Sequence, residues 1–367
     1  MAALFPTNSL PGRTVQLADT GDYLWFSGTD YLGMGHNEPY LSHLRKGLEI
    51  YGSHFGSSRN NTLQLPIYEA AEAALATFTG SPDALVVSSG MWAGQLLIKY
   101  LEGKPHQFHY APGVHPALWG SGYAPTADSW TDWFRATTQR MKKNPPGQSH
   151  VLCTDSIGSP WVEAFDLSLL HQLPDHCPVW LVVDDSHGLG VLGVGGKGVF
   201  SQLPADKPNL RVVVTSSLNK ALGVPGGVIF GDTDLMKDIR STAWFSGSSP
   251  SAPAYLYALH QNLLSGVYPE AHRTLIENTE YFTSVLSSLQ SFSHVDRYPA
   301  FCSHDAALYD HLLQNLILTA CFPYPKPTDQ PVMRLVVSAL HQKKDLDRLA
   351  EVLAKYNGVK PFELSSL

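Results

Sequence analysis

Two short apolar runs in this sequence end in side chains that could perform acid–base and carbonyl chemistry. Residues 179–183 are followed directly by Asp184 and then by His187, and residues 211–215 are followed by Lys220. Runs rich in β-branched residues that stop at charged groups are typical of buried parallel strands, and ligands bind at the carboxyl ends of such strands. We therefore expect an acid, an imidazole and an amine around one crevice, where a desolvated lysine can lose its proton and attack a carbonyl.

The glycines after the first run match a second kind of motif. Gly188, Gly190 and Gly193 fit the dinucleotide fingerprint GxGxxG. That fingerprint requires a helix to begin within it, whereas here further glycines follow, up to Gly198, and no helical period of apolar residues is present. The sequence therefore predicts a glycine-rich loop at this point and not a nicotinamide site.

The elements that must position these residues follow from the hydrophobic pattern. The pattern predicts helices over 39–51, 67–78, 306–318 and 344–356, a long helical region over 255–289, and strands over 84–88, 106–110, 151–154, 226–230 and 332–338. Strands alternating with helices indicate an α/β fold with a parallel sheet. We expect an N-terminal arm and segment (1–50), a large domain (51–250), and a linking helix with a small C-terminal domain (251–367).

The helix predicted after residues 84–88 begins at Ser89, Gly90, Met91 and Trp92. The first backbone N–H groups of a helix have no partner within it, and the helix dipole favours negative charge at that end. This helix start is therefore a candidate anion site. An ordinary turn between a strand and a helix would show the same short motif.

Composition and charge exclude several classes of function. The chain has 367 residues, of which 44% are hydrophobic and 16% charged, as expected for a globular protein with a large core and two lobes. A formal net charge of −7 argues against nucleic acid or an anionic membrane as the main partner. Because neither a long apolar run nor a secretory signal is visible, the sequence predicts a cytoplasmic protein.

The metal-binding and disulfide-forming residue types do not form recognisable motifs. The 4 cysteines are widely spaced without a CxxC pair, so we expect free thiols. The 16 histidines include no HExxH motif, and His106 and His109 alternate along a predicted strand instead of sharing a helix face. The sequence therefore predicts no catalytic metal.

Three motifs resemble those of one enzyme family: DDSHG from Asp184, NKALG around Lys220 and RLVVSALH from Arg334. They are similar to motifs of the pyridoxal-phosphate enzymes with the aspartate-aminotransferase fold, and within these of the α-oxoamine synthases, such as 8-amino-7-oxononanoate synthase and 2-amino-3-ketobutyrate CoA ligase. The resemblance implies an α/β protein of fold type I, with a mostly parallel sheet in its large domain and a small α+β C-terminal domain. It also implies a homodimer with the active site near the interface.

The α-oxoamine synthases use pyridoxal phosphate to condense an amino acid with an acyl-CoA, and they release carbon dioxide. The resemblance implies that Asp184 faces the ring nitrogen, which withdraws electrons only while it is protonated. Lys220 would form the Schiff base, His187 would donate to the phenolic oxygen, and His115 would stack on the ring. Taken singly, the ordinary alternatives are a solvated lysine, a strand-end turn and a turn histidine before proline.

The resemblance also implies which residues bind the cofactor phosphate. These are the helix start at 89–92 and the hydroxyl groups of Ser217 and Thr215. Ser159 could donate to the phenolic oxygen, or it could simply begin the turn before a proline. Ser246 and Ser248 correspond to the family's segment that reaches the phosphate near the partner subunit.

Two residues are implied to bind the amino-acid substrate. Arg334 would hold its carboxylate with the two arms of the guanidinium. Thr29 stands where the family has an asparagine that helps to hold the same carboxylate. A buried arginine on a strand otherwise pairs with an acid of its own protein.

The chain departs from the family pattern at Thr29, at Asn219, which replaces a glycine, and at residues 160–162, which replace Met-Asp-Gly. Three hypotheses stay open. The chain is an acyltransferase as described, another pyridoxal-phosphate enzyme of fold type I that performs transamination or carbon–carbon cleavage, or a non-catalytic binding protein with the same fold.

Overall fold

The computed structural model describes residues 4–17, 21–126, 128–204, 207–286, 292–324, 328–329 and 331–358. Its strands are β1 (Thr14–Leu17), β2 (Gly21–Phe26), β3 (Asp83–Val87), β4 (His106–Tyr110), β5 (Ser149–Asp155), β6 (Val179–Asp184), β7 (Leu210–Ser217), β8 (Gly227–Gly231), β9 (Ser293–His294), β10 (Ala300–Ser303), β11 (Ile317–Pro323) and β12 (Pro331–Val336). Its α-helices are α1 (Glu38–Tyr51), α2 (Ile67–Thr79), α3 (Gly90–Glu102), α4 (Trp130–Lys142), α5 (Thr233–Arg240), α6 (Ala243–Ser246), α7 (Pro253–Ser265), α8 (Val267–Leu286), α9 (Ala306–Gln314) and α10 (Lys343–Tyr356).

These elements form two compact units. The large unit comprises residues 38–159 and 164–268, and the small unit comprises 1–37, 160–163 and 269–367. The sequence analysis placed the boundaries at residues 50 and 250 instead. Helix α1 belongs to the large unit because it packs closely on α7: a Cβ on Gly47 would lie 2.4 Å from the carbonyl oxygen of Ala254, so this contact requires glycine.

The large unit is built on a six-stranded sheet in the order β3-β8-β7-β6-β5-β4. Strands β4, β5, β6 and β7 run parallel to one another, and β8 runs antiparallel to both β7 and β3. Strand β6 is buried along its whole length and β5 almost entirely. Burial on both faces explains why their sequences are continuous apolar runs without alternation. The predicted mostly parallel sheet is confirmed.

The small unit contains a second six-stranded sheet in the order β1-β2-β11-β12-β10-β9. Only the pair β2–β11 is parallel, and the other neighbours are antiparallel. Helices α8, α9 and α10 bury apolar side chains against this sheet, including Phe282, Leu312 and Leu349 with Phe301 and Leu335. This arrangement is the small α+β domain that the sequence predicted.

Two helices differ from their predicted extent. The helix predicted over 306–318 ends at Gln314, because Leu316 adopts a positive φ of 61° and the chain from Ile317 pairs with β2 as strand β11. The helical region predicted over 255–289 is two helices separated at Gly266, whose φ is +79°, and residues 287–289 lie outside the described residues. Within the described ranges, no helix is long and apolar enough to cross a membrane.

Candidate active site

Three neighbouring strands of the large unit end in polar side chains that the register places side by side. Asp155 on β5 is the partner of Asp184 on β6, and Asp184 is the partner of Thr215 on β7. All three residues are buried, and Asp184 is only 5% exposed. Parallel strands bring their carboxyl ends to one edge of a sheet, so these groups line one edge, as predicted for Asp184 and Thr215.

His115 lies beside Asp184, in the segment that follows β4. Its Nδ1 is 3.6 Å from Asp184 Oδ2, and its backbone N–H donates to both carboxylate oxygens of Asp155 at 3.1 and 3.2 Å. Burial lowers the pKa of His115; the Asp184 carboxylate opposes this shift, and the Lys220 ammonium adds to it. Burial therefore favours the neutral imidazole, even with an acid nearby.

Asp155 also belongs to this cluster, although no role was predicted for it from the sequence. Burial raises the pKa of Asp155 well above its usual range, the Asp184 charge raises it further, and the Lys220 charge lowers it. Lys220 thus acts electrostatically on both Asp155 and His115, which places its amine in the same neighbourhood. Residues 151–154 form an apolar run that ends in Asp155, which is the same pattern that indicated Asp184, and the pairing of β5 with β6 shows that the two acids lie side by side.

Asp185, the residue after β6, belongs to a different environment. It is only 2% exposed, and its Oδ2 accepts a hydrogen bond from the Val199 backbone N–H at 3.0 Å. A Cβ on Gly188 would lie 1.9 Å from Asp185 Oδ1, and a Cβ on Gly198 would lie 2.2 Å from Oδ2. The glycines of the GxGxxG-like segment therefore let the chain close over a carboxyl group, and the predicted loop contains no α-helix.

Ser217 and Lys220 lie at and just after the end of β7. The Ser217 backbone N–H donates to Ser186 Oγ at 2.8 Å, which ties the end of β7 to the turn after β6. Ser217 Oγ accepts from the Asn219 backbone N–H at 3.2 Å. His187 lies half-buried in the turn that follows Ser186. The residues of the DDSHG and NKALG motifs are therefore brought to the same end of the sheet.

The start of α3 lies against the end of β7. Ser89 caps this helix, with its Oγ accepting the Trp92 backbone N–H at 3.1 Å. A Cβ on Gly90 would lie 2.6 Å from Ser217 Cβ, so the helix start and Ser217 are in close contact. Because the Trp92 N–H is used by the cap, the N–H groups of Gly90 and Met91 are those available to an anion.

The remaining predicted residues lie at the edge of the large unit or in the small unit. Ser159 is half-buried in the last residues of the large unit before position 160. Thr29 and Arg334 belong to the small unit. Arg334 on β12 is 6% exposed, and its Nη2 donates to the Tyr31 hydroxyl at 2.9 Å. Among the described residues no carboxylate pairs with it, so the alternative of an internal acid partner has no support.

Comparison with known proteins shows to which family the chain belongs. The family model for aminotransferase class I and II matches residues 121–353, which is more than half of the chain. The chain belongs to this family. The matched range includes Asp155, Asp184, Lys220 and Arg334.

Within the aminotransferase class I and II family, the chain is similar to 8-amino-7-oxononanoate synthases. The enzyme of Aeromonas salmonicida is 25% identical over 97% of this chain and 91% of its own length. The enzyme of Citrobacter koseri is 27% identical over 92% of this chain and 90% of its own length. The resemblance to α-oxoamine synthases inferred from the motifs is confirmed.

Solved structures agree on the fold. Serine palmitoyltransferase of Sphingomonas wittichii matches with a TM-score of 0.81 and 17% identity, covering 96% of this chain and 92% of that one. The 8-amino-7-oxononanoate synthase of Francisella tularensis matches with a TM-score of 0.69 and 19% identity, covering 92% and 98%. The chain therefore has the fold of the type I pyridoxal-phosphate enzymes.

Pyridoxal phosphate is the cofactor of this family, and the residues at these strand ends fit it. A buried carboxylate, Asp184, is available for a ring nitrogen, and Lys220 acts electrostatically on Asp155 and His115, which lie beside Asp184. The buried Thr215 Oγ1 has no hydrogen-bond partner within the described part of the chain. A hydroxyl group without a partner and the N–H groups of a helix start are both suited to a phosphate.

Proposed function

We propose that this chain is a pyridoxal-phosphate-dependent acyltransferase of the α-oxoamine synthase type. It condenses a small amino acid with an acyl-CoA, and it releases carbon dioxide and the thiol of coenzyme A. The observation that carries the proposal is the register-aligned edge of Asp155, Asp184 and Thr215, with His115 beside it and Lys220 acting on it electrostatically. The similarity to 8-amino-7-oxononanoate synthases supports the same conclusion.

When bound, pyridoxal phosphate supplies an aldehyde for covalent attachment and a ring that withdraws electrons from the substrate α carbon. Asp184 would hold a proton at the ring nitrogen. Its Oδ1 accepts the Ser186 backbone N–H at 2.9 Å. Because Asp184 is buried, this hydrogen bond fixes the orientation of the carboxylate. His115, kept neutral by burial, would cover one face of the ring.

Lys220 would bind the aldehyde carbon through its amine until the amino group of the substrate replaces it. The released amine of Lys220 would then take the proton from the α carbon. The backbone N–H groups of Gly90 and Met91 and the hydroxyl groups of Ser217 and Thr215 would hold the phosphate. His187 and Ser159 would donate to the phenolic oxygen.

Arg334 would bind the substrate carboxylate, and Thr29 would contribute a further hydrogen bond to it. The Arg334 Nε has no hydrogen-bond partner among the described residues, although it is buried. A guanidinium arm that lacks a partner is suited to a carboxylate, which accepts two parallel hydrogen bonds. Orientation of the carboxylate would fix which bond to the α carbon is broken.

A substrate screen tests the proposed reaction. Purified protein loaded with pyridoxal phosphate is incubated with glycine, L-alanine or L-serine and with acyl-CoAs of increasing chain length, and thiol release is followed. We expect thiol release that depends on both substrates, with one carbon dioxide per thiol. Lys220→Ala should lose both the activity and the visible absorbance of lysine-bound cofactor; retained absorbance would reject Lys220 as the attachment residue.

A second reaction class is favoured by specific departures from the family pattern. Asn219 replaces the glycine before the lysine, and Pro160, Trp161 and Val162 replace Met-Asp-Gly. These changes leave Asp184, His187 and Lys220 intact, which also serve transamination or carbon–carbon cleavage. Formation of a new amino acid from an added keto acid, without thiol release from any acyl-CoA, would favour this alternative over the acyltransferase.

We further propose that the enzyme is a cytoplasmic homodimer with its active site near the subunit interface. The large unit exposes several large apolar side chains, including Leu63, Met91 and Trp244, as interface surfaces commonly do. It also contains an open pocket of about 510 Å³ lined by serines 57, 58, 246 and 248. In the proposed dimer, this pocket would face the part of the partner's active site that holds the phosphate. Sedimentation at micromolar concentration should give twice the mass of 40.2 kDa.

A further inference from the structure

Three buried side chains of the small unit form a hydrogen-bonded chain. Arg334 Nη2 donates to the Tyr31 hydroxyl at 2.9 Å, and the hydroxyl groups of Tyr31 and Tyr298 are 3.3 Å apart. Tyr31 is 0% exposed and Tyr298 is 1% exposed. The two rings are tilted by 57° with centroids 6.2 Å apart, so the contact between them runs through the hydroxyl groups as well as the ring edges.

The guanidinium in this chain lacks the partners that would otherwise fix its orientation. A buried cation is costly unless it is paired, and among the described residues Arg334 pairs with no carboxylate. Cys302 is opposite Arg334 in the pairing of β10 with β12, but its Sγ donates to the Pro160 carbonyl at 3.2 Å. Among the described residues, the side-chain hydrogen-bond partner of Arg334 is the Tyr31 hydroxyl, which in turn contacts the Tyr298 hydroxyl. Burial raises the pKa of Tyr298 well above its usual range, so it stays neutral.

The backbone around Tyr298 holds its ring independently of the hydroxyl group. The Tyr298 N–H donates to the Val295 carbonyl at 3.1 Å, and the next carbonyl, of Pro299, accepts the Val337 N–H at 2.8 Å. The second of these bonds ties the start of β10 to the segment that follows β12, the strand carrying Arg334. Removal of the hydroxyl group alone should therefore leave the fold of this segment intact.

We propose that Tyr298 is a positioning residue for the substrate carboxylate. Through Tyr31, it holds the guanidinium of Arg334 in the orientation that binds this carboxylate. The inference rests on the proposed role of Arg334 as the carboxylate ligand. It assigns to Tyr298 an effect on amino-acid affinity and no contact with the substrate. Loss of its hydroxyl should weaken binding of ligands with a carboxylate and leave binding of other amines unchanged.

The test compares amino acids with their amides. Dissociation constants of the holoenzyme for L-alanine and L-alaninamide, glycine and glycinamide, and L-serine and L-serinamide are measured from the change in cofactor absorbance. Tyr298→Phe should raise the dissociation constant for the amino acid that binds best by about fivefold, as for loss of one hydrogen bond, with the amide value within about twofold. Equal weakening of acid and amide, or no weakening, would overturn the inference.

Tyr309→Phe is the matched control. Tyr309 is a buried tyrosine of the same unit, and its hydroxyl forms no hydrogen bond among the described residues. We expect this variant to bind acids and amides like the parent protein. A selective loss of acid binding in Tyr309→Phe equal to that in Tyr298→Phe would show that any buried hydroxyl matters, and it would overturn the assignment.

A double-mutant cycle shows whether Tyr298 acts through Arg334. Arg334→Lys keeps the charge but removes the planar fork, so Tyr298→Phe in that background should change the amino-acid dissociation constant by less than about twofold. Full additivity would reject the connection. The cycle requires no acyl-CoA: if it succeeds while no acyl-CoA releases thiol, the proposed acyltransferase reaction fails and the positioning role stands.

Discussion

The last residue of strand β6 and the residue after it carry the same chemical group, but the two groups have different surroundings. Asp184 faces the edge where His115 and Asp155 lie, and Asp185 faces the glycine-rich loop, because successive side chains of a strand point to opposite faces. The first carboxylate meets groups that can exchange protons, whereas the second meets a backbone N–H group and two glycines. Two consecutive residues therefore have different roles: Asp184 is placed for chemistry and Asp185 for structure.

Isosteric substitution should separate the two acids by the largest margin. Asp184→Asn keeps the oxygen that accepts the Ser186 N–H but can no longer hold a proton at a ring nitrogen, so we expect kcat to fall by about 10²-fold to 10⁴-fold. Asp185→Asn should retain kcat within about threefold, because this side chain is directed away from the reacting groups. Initial rates of thiol release and urea unfolding of both variants measure this difference.

The reverse pattern would break the comparison. If Asp185→Asn lost activity as severely as Asp184→Asn while both remained folded, the carboxyl inside the loop would have to take part in the reaction. If Asp184→Asn were fully active, the cofactor would have to lie elsewhere.

The residues at the strand ends of the large sheet were easier to predict from the sequence than the residues that lie beside them. Asp184 and Lys220 could be placed because each follows a continuous apolar run that only a buried strand explains. Asp155 received no role although it also follows an apolar run, and its position beside Asp184 becomes visible only from the pairing between β5 and β6. The first two residues of β11 were predicted as the end of the helix over 306–318, since their apolar side chains fit both periods, and the strand itself was not predicted because its partner β2 lies almost 300 positions earlier in the chain.

The contact between Tyr31 and Arg334 escaped prediction for the same reason. The two residues are 303 positions apart, and the RLVVSALH motif that contains Arg334 does not indicate Tyr31 as its partner. Tyr298 lies in no motif at all. Local patterns thus placed the groups at strand ends, whereas the groups that orient them depend on long-range pairing.

The next largest effect that we expect is on the free energy of unfolding, and it comes from substitutions in the glycine-rich loop over Asp185. Gly198 has φ +73° and would place a Cβ 2.2 Å from the Asp185 carboxylate, so Gly198→Ala should lower the free energy of unfolding by ~2–5 kcal/mol through backbone strain and a clash. Gly195 has a similar φ of +68° but open space around its Cβ, so Gly195→Ala should cost only ~1–2 kcal/mol. Urea unfolding of both variants isolates the clash, and equal losses would contradict it.

The last prediction concerns the pH dependence of stability that Asp185 confers. Burial raises the pKa of Asp185 to about 7, from an ordinary value of 3.8, and the neighbouring Asp184 charge adds to this shift. A folded-state pKa above the unfolded value means that the contribution of the protonated acid is complete below pH 4 and is lost as the pH rises towards 7. Asp185→Asn carries no titrating group there, so its stability relative to the parent should increase over this interval.

Differences in unfolding free energy between variant and parent at several pH values check this sign, because other titrating groups cancel. Asp234→Asn removes an exposed acid and serves as the control for the loss of one carboxyl group. A difference for Asp185→Asn that stays flat would mean that the loop admits the charged carboxylate without penalty.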